Sequence, residues 1–154
     1  MPARSAGILL YKHCDGVLHV LLAHPGGPFW RGRDAGAWSI PKGEYAQGQD
    51  PLDAARREFR EELGIDAPVA LTPLGEITQK GGKHVAAFAA EGDFDIHQLH
   101  SNTFEIEWPP RSGRRQSFPE VDRVAWFALD EAREKILPAQ MPLLMRLADQ
   151  VARR

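Results

Sequence analysis

The sequence predicts an α/β fold in which a mixed β-sheet is packed between helices. Three observations lead to this prediction. Apolar runs are separated by turn residues, one well-capped amphipathic helix occupies the middle of the chain, and the C-terminus has a helical pattern. A chain of 154 residues is long enough to bury a core but fits one domain. We therefore predict a single domain over residues 1–154.

The first two apolar runs flank a turn at Cys14-Asp15-Gly16, and they read SAGILLYK and VLHVLLAH. Asp-Gly is a strong hairpin signal, so these runs predict two antiparallel strands. The stretch PGGPFWRGRDAGAW that follows is rich in glycine and proline and predicts a long loop. Loops of this length in compact domains often bind ligands.

A helix is predicted over residues 51–63, after a short strand at 38–40 and a turn at 41–43. Asp50 is a good N-cap, and Pro51 at the first helical position has no N–H that would need a partner. Gly64 suits the left-handed conformation that ends many helices. Both ends of this helix are therefore specified locally.

The second half of the chain alternates apolar runs with turn-rich stretches. The predicted strands are, in order, VALTPLGEITQ, HVAAFAAEG, TFEIEW and VDRVAWFAL. The first two of these surround Lys80-Gly81-Gly82-Lys83 and predict a second hairpin, whereas PPRSGRRQSFPE predicts a loop. From about Asp130 the pattern is helical, and we expect interruptions near Pro138 and Pro142.

Composition excludes several classes of function. The net charge of −2 gives no general reason to expect binding to nucleic acid or to a membrane surface, and no apolar run approaches the length of a spanning helix. The single cysteine, Cys14, excludes an intrachain disulfide and any cysteine-based zinc cluster. We expect a cytoplasmic protein, a monomer or a homodimer, that handles any polyanion at a local site.

The predicted central helix carries an acidic face. At about 100° per residue, Glu58, Glu61 and Glu62 fall together on one flank of an apolar stripe formed by Leu52, Ala55, Phe59 and Leu63. Like charges at this spacing repel, and a cation among them would relieve the repulsion. Hard oxygen ligands favour Mg²⁺, Mn²⁺ or Ca²⁺. The alternative is a solvated acidic face that neighbouring arginines balance.

The longer stretch around this helix, residues 43–65, has a defined pattern. Its residues, in fixed order and spacing, are Gly43, Arg57, Glu58, Phe59, Glu61, Glu62, Gly64 and Ile65. This pattern resembles the signature of the Nudix hydrolase family. Gln49 departs from it, since it stands where the signature has its first glutamate.

The resemblance implies a Nudix-type α/β/α sandwich that uses Mg²⁺ or Mn²⁺ to hydrolyse a phosphoanhydride in a nucleoside diphosphate linked to another group. It implies that Glu61 and Glu62 are the principal metal ligands and that Glu58 is a further ligand or holds a metal-bound water. The backbone of Gly43 would offer a carbonyl, and Arg57 would orient the glutamates by ion pairing.

Glu58, Glu62, Arg57 and Glu120 are the expected catalytic residues, and the resemblance leaves the position of the general base open. It comes from the signature helix or from a later loop. Glu120 is the later candidate, because its place before a strand resembles the extra carboxylate of diadenosine polyphosphate hydrolases. The competing interpretation of Glu120 is a solvated loop acid.

Four residues are candidates for binding substrate. Lys42 and Lys83 would contact phosphate, Trp38 would stack a base, and Arg111 would grip a second or terminal phosphate. Three of the four have a plainer interpretation: an exposed hairpin tip for Lys83, core packing for Trp38 and a solvated charge run for Arg111.

The most favoured substrates are dinucleoside polyphosphates, such as diadenosine tetraphosphate, and nucleoside triphosphates. Removal of pyrophosphate from an RNA 5′ end is an alternative that the charge weakens. A second alternative is a Nudix-fold binding or regulatory module that has lost turnover, and Gln49 is the one feature that favours it.

Overall fold

The structure is a computed structural model that describes residues 3–153. Short 3₁₀ turns lie at Ile96–Gln98 and Pro138–Gln140. The strands and helices, in chain order, are β1 (Arg4–Cys14), β2 (Val17–Pro25), β3 (Lys42–Glu44), α1 (Pro51–Leu63), β4 (Thr72–Thr78), β5 (His84–Glu91), β6 (Thr103–Glu107), β7 (Arg115–Pro119), β8 (Val121–Ala128), α2 (Leu129–Lys135) and α3 (Met141–Ala152).

The main sheet has the strand order β4-β5-β1-β2-β8, and β3 pairs with β1. It is mixed, because β1 runs parallel to β5 and antiparallel to β2 and β3. Strands β6 and β7 form a separate two-stranded antiparallel sheet.

Two apolar clusters cover the two faces of the main sheet. On one face, Phe59 and Leu63 of α1 pack with Ile8 of β1. On the other face, Leu143 and Leu144 of α3 pack with residues such as Leu9, Val20 and Leu22. The predicted α/β/α sandwich with a mixed sheet between helices is confirmed. Among residues 3–153, no helix is long and apolar enough to cross a membrane.

The locally specified elements form as predicted. The carboxylate of Asp50 accepts a hydrogen bond from the Leu52 N–H at 3.2 Å, and Gly64 ends α1 with φ 90°. At the first hairpin, Asp15 and Gly16 take φ values of 51° and 79°, the left-handed conformations that a tight two-residue turn needs.

The segment that leads to α1 enters between β1 and β2. Ser39 pairs with Ala23 of β2, whereas the Pro41 carbonyl accepts a hydrogen bond from Ile8 of β1 at 3.1 Å. Gly7 permits this approach, since a Cβ there would lie 2.5 Å from the Pro41 oxygen. This segment brings Lys42 and its neighbours beside α1.

Four sequence predictions were wrong in detail. Lys42–Glu44 is a strand rather than a turn, because β1 supplies its hydrogen-bond partners. Residues 38–40 make only isolated bridges, and Arg115–Pro119 is a strand because it pairs with β6. Pro142 does not interrupt the C-terminal helix, since it lies in the first turn of α3, where no N–H is needed.

Candidate active site

A cavity of about 330 Å³ opens beside the C-terminal half of α1. Its charged lining residues are Lys42 from β3, Glu62 from α1 and Glu120, which lies between β7 and β8. Segments that are far apart in the chain thus place two predicted catalytic carboxylates, and a lysine predicted to bind phosphate, around one cavity.

Glu62 is buried, with 9% of its surface exposed. Burial raises its pKa from the ordinary 4.5 to about 8, and the nearby charges of Glu120 and Glu58 act in the same direction. A hydrogen bond from the backbone N–H of Lys42 opposes this rise. The apolar stripe of α1 faces the core. Because Glu62 lies next to this stripe on the helix, its carboxylate is removed from water when the protein folds.

Glu58 is buried against Gly43, and this contact leaves no space for a side chain at residue 43. A Cβ on residue 43 would lie 1.6 Å from the Glu58 Oε1 atom. Burial raises the pKa of Glu58 to about 7, and a hydrogen bond shared with the Glu61 carboxyl group adds to the rise. Arg57 Nε lies 4.0 Å from Glu58 Oε2, and an Arg57 guanidinium N–H donates to the Glu44 carbonyl at 3.3 Å.

Glu120 lies where the two-stranded sheet meets the cavity. Its backbone carbonyl accepts from the Gly26 N–H at 3.0 Å, and its own N–H donates to Asn102 at 2.8 Å. Partial burial raises the pKa of its carboxyl group, as does the charge of Glu61. This environment differs from that of a freely solvated loop acid.

Lys42 and Lys83 form a basic pair at the same site. Burial lowers the pKa of Lys42, and the positive charge of Lys83 lowers it further. Lys83 Nζ lies 3.9 Å from Glu44 Oε2, so a carboxylate holds the second lysine close to β3. A phosphate group would relieve the repulsion between the two ammonium groups.

Trp38 and Arg111, both predicted to bind substrate, do not line the cavity. Trp38 is 4% exposed, and its ring packs edge-to-face against His24 and Phe127. Its indole N–H donates to Asp34, so it is a core residue. Arg111 lies at the tip of the β6–β7 hairpin, outside the cavity lining.

Within residues 3–153, no three side chains of Asp, Glu, His or Cys already converge as a ready-made metal-binding group. The donors nevertheless suit a hard divalent cation, because Glu58, Glu61 and Glu62 are carboxylates on neighbouring turns. Glu58 and Glu62 are buried with raised pKa values. A cation beside them would favour their ionised forms.

The raised pKa values predict how stability depends on pH in the presence of a chelator. Between about pH 4.5 and pH 8 the folded chain holds more protons at Glu58 and Glu62 than the unfolded chain. The free energy of unfolding should therefore fall as the pH rises through this window. We expect Tm, measured with EDTA, to drop by several degrees from about pH 5 to about pH 8.

Addition of Mg²⁺ at about pH 8 should recover this loss, because a cation stabilises the ionised carboxylates. Glu58→Gln should flatten the dependence on pH, whereas Glu105→Gln on exposed β6 should leave it unchanged. A Tm that rises with pH over the window in the wild-type protein would contradict the burial argument.

Gln49 lies in the exposed loop that precedes α1. Its Oε1 accepts a hydrogen bond from the Ala46 N–H at 2.9 Å, and its own N–H donates to the Ala46 carbonyl at 3.1 Å. The side chain therefore closes the Ala46–Gln49 turn. A glutamate carboxylate would accept the same hydrogen bond.

We expect Gln49→Glu to change kcat/KM by less than about threefold, because the added charge is exposed and screened. Activity should be measured with Mg²⁺ and with Mn²⁺, beside Gln47→Glu as a control for charge in the same loop. If Gln49→Glu instead activates an otherwise inert protein, Gln49 marks a disabled enzyme.

Sequence patterns did not reveal the polar residues at the wall of the cavity. Gln140 hydrogen-bonds to Gln79 and Ser39, which line the cavity, across separations of 61 and 101 residues. No local motif connects positions so far apart. Trp30, rather than the predicted Trp38, lines the cavity.

Two curated relatives share part of this sequence. The RNA pyrophosphohydrolase of Rhizobium meliloti (strain 1021) is 28% identical over 116 residues, which cover 66% of this chain and 64% of that protein. The RNA pyrophosphohydrolase of Bartonella clarridgeiae is 36% identical over 70 residues, or 38% of this chain and 39% of that protein. The matched parts thus span less than two thirds of either relative.

Solved structures share the fold over nearly the whole chain. An Ap4A hydrolase from C. elegans, in a binary complex, superposes with a TM-score of 0.69 at 23% identity, covering 99% of both chains. The NUDIX domain of Shewanella oneidensis NrtR, complexed with ADP ribose, gives a TM-score of 0.67 at 16% identity, covering 98% of this chain and 89% of that one. The NUDIX domain family model matches residues 1–147. The chain therefore belongs to the Nudix family.

Proposed function

We propose that this protein is a metal-dependent hydrolase that cleaves a phosphoanhydride bond in a nucleoside diphosphate linked to another group. The observation that carries the proposal is the convergence of Lys42, Glu62 and Glu120 on one cavity. Glu58, whose pKa is raised by burial and by Glu61, lies in the same helix as Glu62. Perturbed carboxylates beside a cavity are typical of catalytic sites.

Glu58, Glu61 and Glu62 would hold Mg²⁺ or Mn²⁺, with the Gly43 carbonyl as a further candidate ligand. When bound, the metal neutralises phosphate charge and makes a bound water more acidic. Arg57, beside Glu58 and tied to the Glu44 carbonyl, restrains the direction of the Glu58 carboxylate.

Lys42 and Lys83 would bind the polyphosphate, since their charges lie close together and Lys42 faces the cavity. Glu120 would accept the proton of the attacking water. A carboxyl group whose pKa is raised toward the working pH is a better base than an ordinary glutamate, and burial with the charge of Glu61 raises this one.

We propose dinucleoside polyphosphates and nucleoside triphosphates as the substrates. A cavity of about 330 Å³ is large enough for one nucleoside, while the basic pair would hold the phosphates. The similarity in fold to an Ap4A hydrolase supports the choice of dinucleoside polyphosphates.

The test is a screen with resolved products. The protein should be incubated with Mg²⁺ or Mn²⁺ and with diadenosine and diguanosine tetraphosphates, nucleoside triphosphates and sugar nucleotides. Formation of a nucleoside triphosphate plus a monophosphate from a tetraphosphate would support the proposal. Activity confined to sugar nucleotides would overturn the substrate choice, and no product from any compound would overturn the reaction.

Pyrophosphate removal from an RNA 5′ end is a second candidate, favoured by the hairpin beside the cavity. Phe29, in the loop after β2, is 66% exposed and packs edge-to-face at 5.4 Å against Trp108 of the β6–β7 hairpin. Arg111, Arg114 and Arg115 are also exposed on this hairpin. Aromatic rings with arginines suit a single strand, and both curated relatives are RNA pyrophosphohydrolases.

A 5′-triphosphorylated oligonucleotide tests this candidate against the matching nucleoside triphosphate. A kcat/KM for the oligonucleotide at least about tenfold higher, which Phe29→Ala reduces, would make RNA the preferred substrate. Equal or lower values for the oligonucleotide would reject it.

A further inference from the structure

A buried hydrogen-bond network lies behind the cavity wall. Gln140, which ends the 3₁₀ turn at Pro138–Gln140, is 0% exposed. Its Oε1 accepts from the Ile40 N–H at 3.0 Å. Its Nε2 donates to Ser39 Oγ and to Gln79 Oε1, both at 2.9 Å.

The chemistry of the partners fixes the direction of every bond in this network. A backbone N–H is only a donor, so the Gln140 atom that faces Ile40 must be its oxygen. The other end of the Gln140 amide is then a donor, and the Gln79 atom that it contacts must be an oxygen. Ser39 Oγ donates to the Ile40 carbonyl at 2.8 Å, which leaves it free to accept from Gln140.

The Nε2 atom of Gln79 is consequently a donor that the network does not use. Gln79 lines the cavity, and within residues 3–153 its Nε2 atom makes no hydrogen bond. The backbone of Gln79 is held by the β4–β5 turn, since its N–H donates to the Lys83 carbonyl at 2.7 Å. The cavity wall thus presents a fixed N–H donor.

We propose that Gln79 selects the nucleobase by donating a hydrogen bond to it, and that Gln140 is the positioning residue that holds the Gln79 amide in this orientation. The proposal rests on the proposed function, because it assumes that a nucleoside enters the cavity. A donor that faces the 6-position favours bases with a carbonyl oxygen there, the 6-oxopurines, over adenine, whose 6-amino group is itself a donor.

Adenine and hypoxanthine differ in the group that meets such a donor. The 6-oxo group of hypoxanthine accepts from the Gln79 N–H, whereas the 6-amino group of adenine is itself a donor and leaves both N–H groups unsatisfied. We expect kcat/KM for ITP to exceed that for ATP by about tenfold or more.

Two substitutions should replace the hydrogen-bond donor at the cavity wall with an acceptor. Gln79→Glu keeps the oxygen that faces Gln140 and replaces the donor with an acceptor. Gln140→Glu leaves the cavity lining unchanged, but it removes the donor that faces Gln79. The Gln79 amide should then rotate and turn its oxygen toward the cavity. We expect each variant to lower the ITP/ATP ratio of kcat/KM by about tenfold or more, to one or below.

Gln98→Glu is the matched control, because it adds the same charge at an exposed position in a 3₁₀ turn. Its ITP/ATP ratio should equal that of the wild-type protein. Thermal unfolding should accompany each measurement, and Gln140→Met gives a neutral variant if Gln140→Glu fails to fold. Gln140→Met should bring the ratio near one, since it leaves the Gln79 amide unoriented.

Measurements of nucleotide binding distinguish a failure of base selection by Gln79 from a failure of the proposed hydrolase function. Kd values for ITP and ATP in excess EDTA should show the same preference and the same reversal. One outcome is that no nucleotide is hydrolysed but the ratio of Kd values for ITP and ATP still reverses in the variants. The proposed function is then rejected, and the selection of the base by Gln79 is supported. If nucleotides are hydrolysed but the ITP/ATP ratio is near one in the wild-type protein, or is unmoved by Gln79→Glu and Gln140→Glu, the selection is overturned.

Discussion

Glu62→Gln is expected to lower kcat/KM by about 10³-fold or more while the protein stays folded. Glu62 faces the cavity, and its carboxylate is a proposed metal ligand beside the phosphate site. Glutamine has nearly the same shape, and its amide oxygen would still accept the hydrogen bond from the Lys42 N–H. The substitution therefore removes charge without removing packing.

Glu62→Gln should raise the stability of the metal-free protein although it lowers activity. Burial raises the pKa of Glu62 to about 8, so ionisation of this carboxylate destabilises the folded protein when no cation is bound. With EDTA at about pH 9, Glu62→Gln should have a higher Tm than the wild-type protein. Its increase in Tm on adding Mg²⁺ or Mn²⁺ should be smaller or lost.

Glu131→Gln serves as the control, since Glu131 is an exposed acid in the first turn of α2. It should keep wild-type activity and the full response to metal. Wild-type activity in Glu62→Gln would remove this residue from the catalytic machinery. A lower Tm for Glu62→Gln in EDTA would show that the ionised carboxylate is not a source of instability.

The features that the sequence predicts well are those that neighbouring residues determine. The ends of α1 follow from Asp50 and Gly64, and its buried face follows from apolar residues at helical spacing. The first hairpin follows from Asp15-Gly16. Each of these depends on contacts within a few residues, which a single sequence records directly.

The features that the sequence does not predict depend on contacts between distant segments. Lys42–Glu44 becomes a strand because it pairs with the part of β1 that β2 does not reach, and Arg115–Pro119 becomes one because it pairs with β6. Trp38 is buried because β8 and α2 close over the segment that contains it, a fact that no spacing within the segment shows. Gln140 joins the cavity wall only after folding.

Gly43 illustrates how the two kinds of information combine. Its position in the family signature indicates importance, and the expected reason was a turn that offers a carbonyl. The structure adds a second reason, because the glycine lies in a strand and leaves space for the buried Glu58 carboxylate. The expectation and the structure point to the same residue for different physical causes.

Gly43→Ala is therefore expected to lower kcat/KM by about 10²-fold, chiefly by moving Glu58. The added Cβ would lie 1.6 Å from Glu58 Oε1 and 2.2 Å from its carboxyl carbon, so the carboxylate must leave its place. The atoms that yield are the end of a side chain, and Gly43 pairs with Ala6 as an ordinary strand residue. Tm should consequently fall by only a few degrees, which separates misplacement of Glu58 from loss of the fold.

A double-mutant cycle tests this cause directly. Glu58→Ala removes the carboxylate that the new methyl group would displace, so adding Gly43→Ala to Glu58→Ala should produce little further loss of activity. The two substitutions would then be strongly non-additive, as expected when one acts through the other. Additive losses would instead show that Gly43→Ala acts on the backbone of β3, and therefore on Lys42, rather than on Glu58.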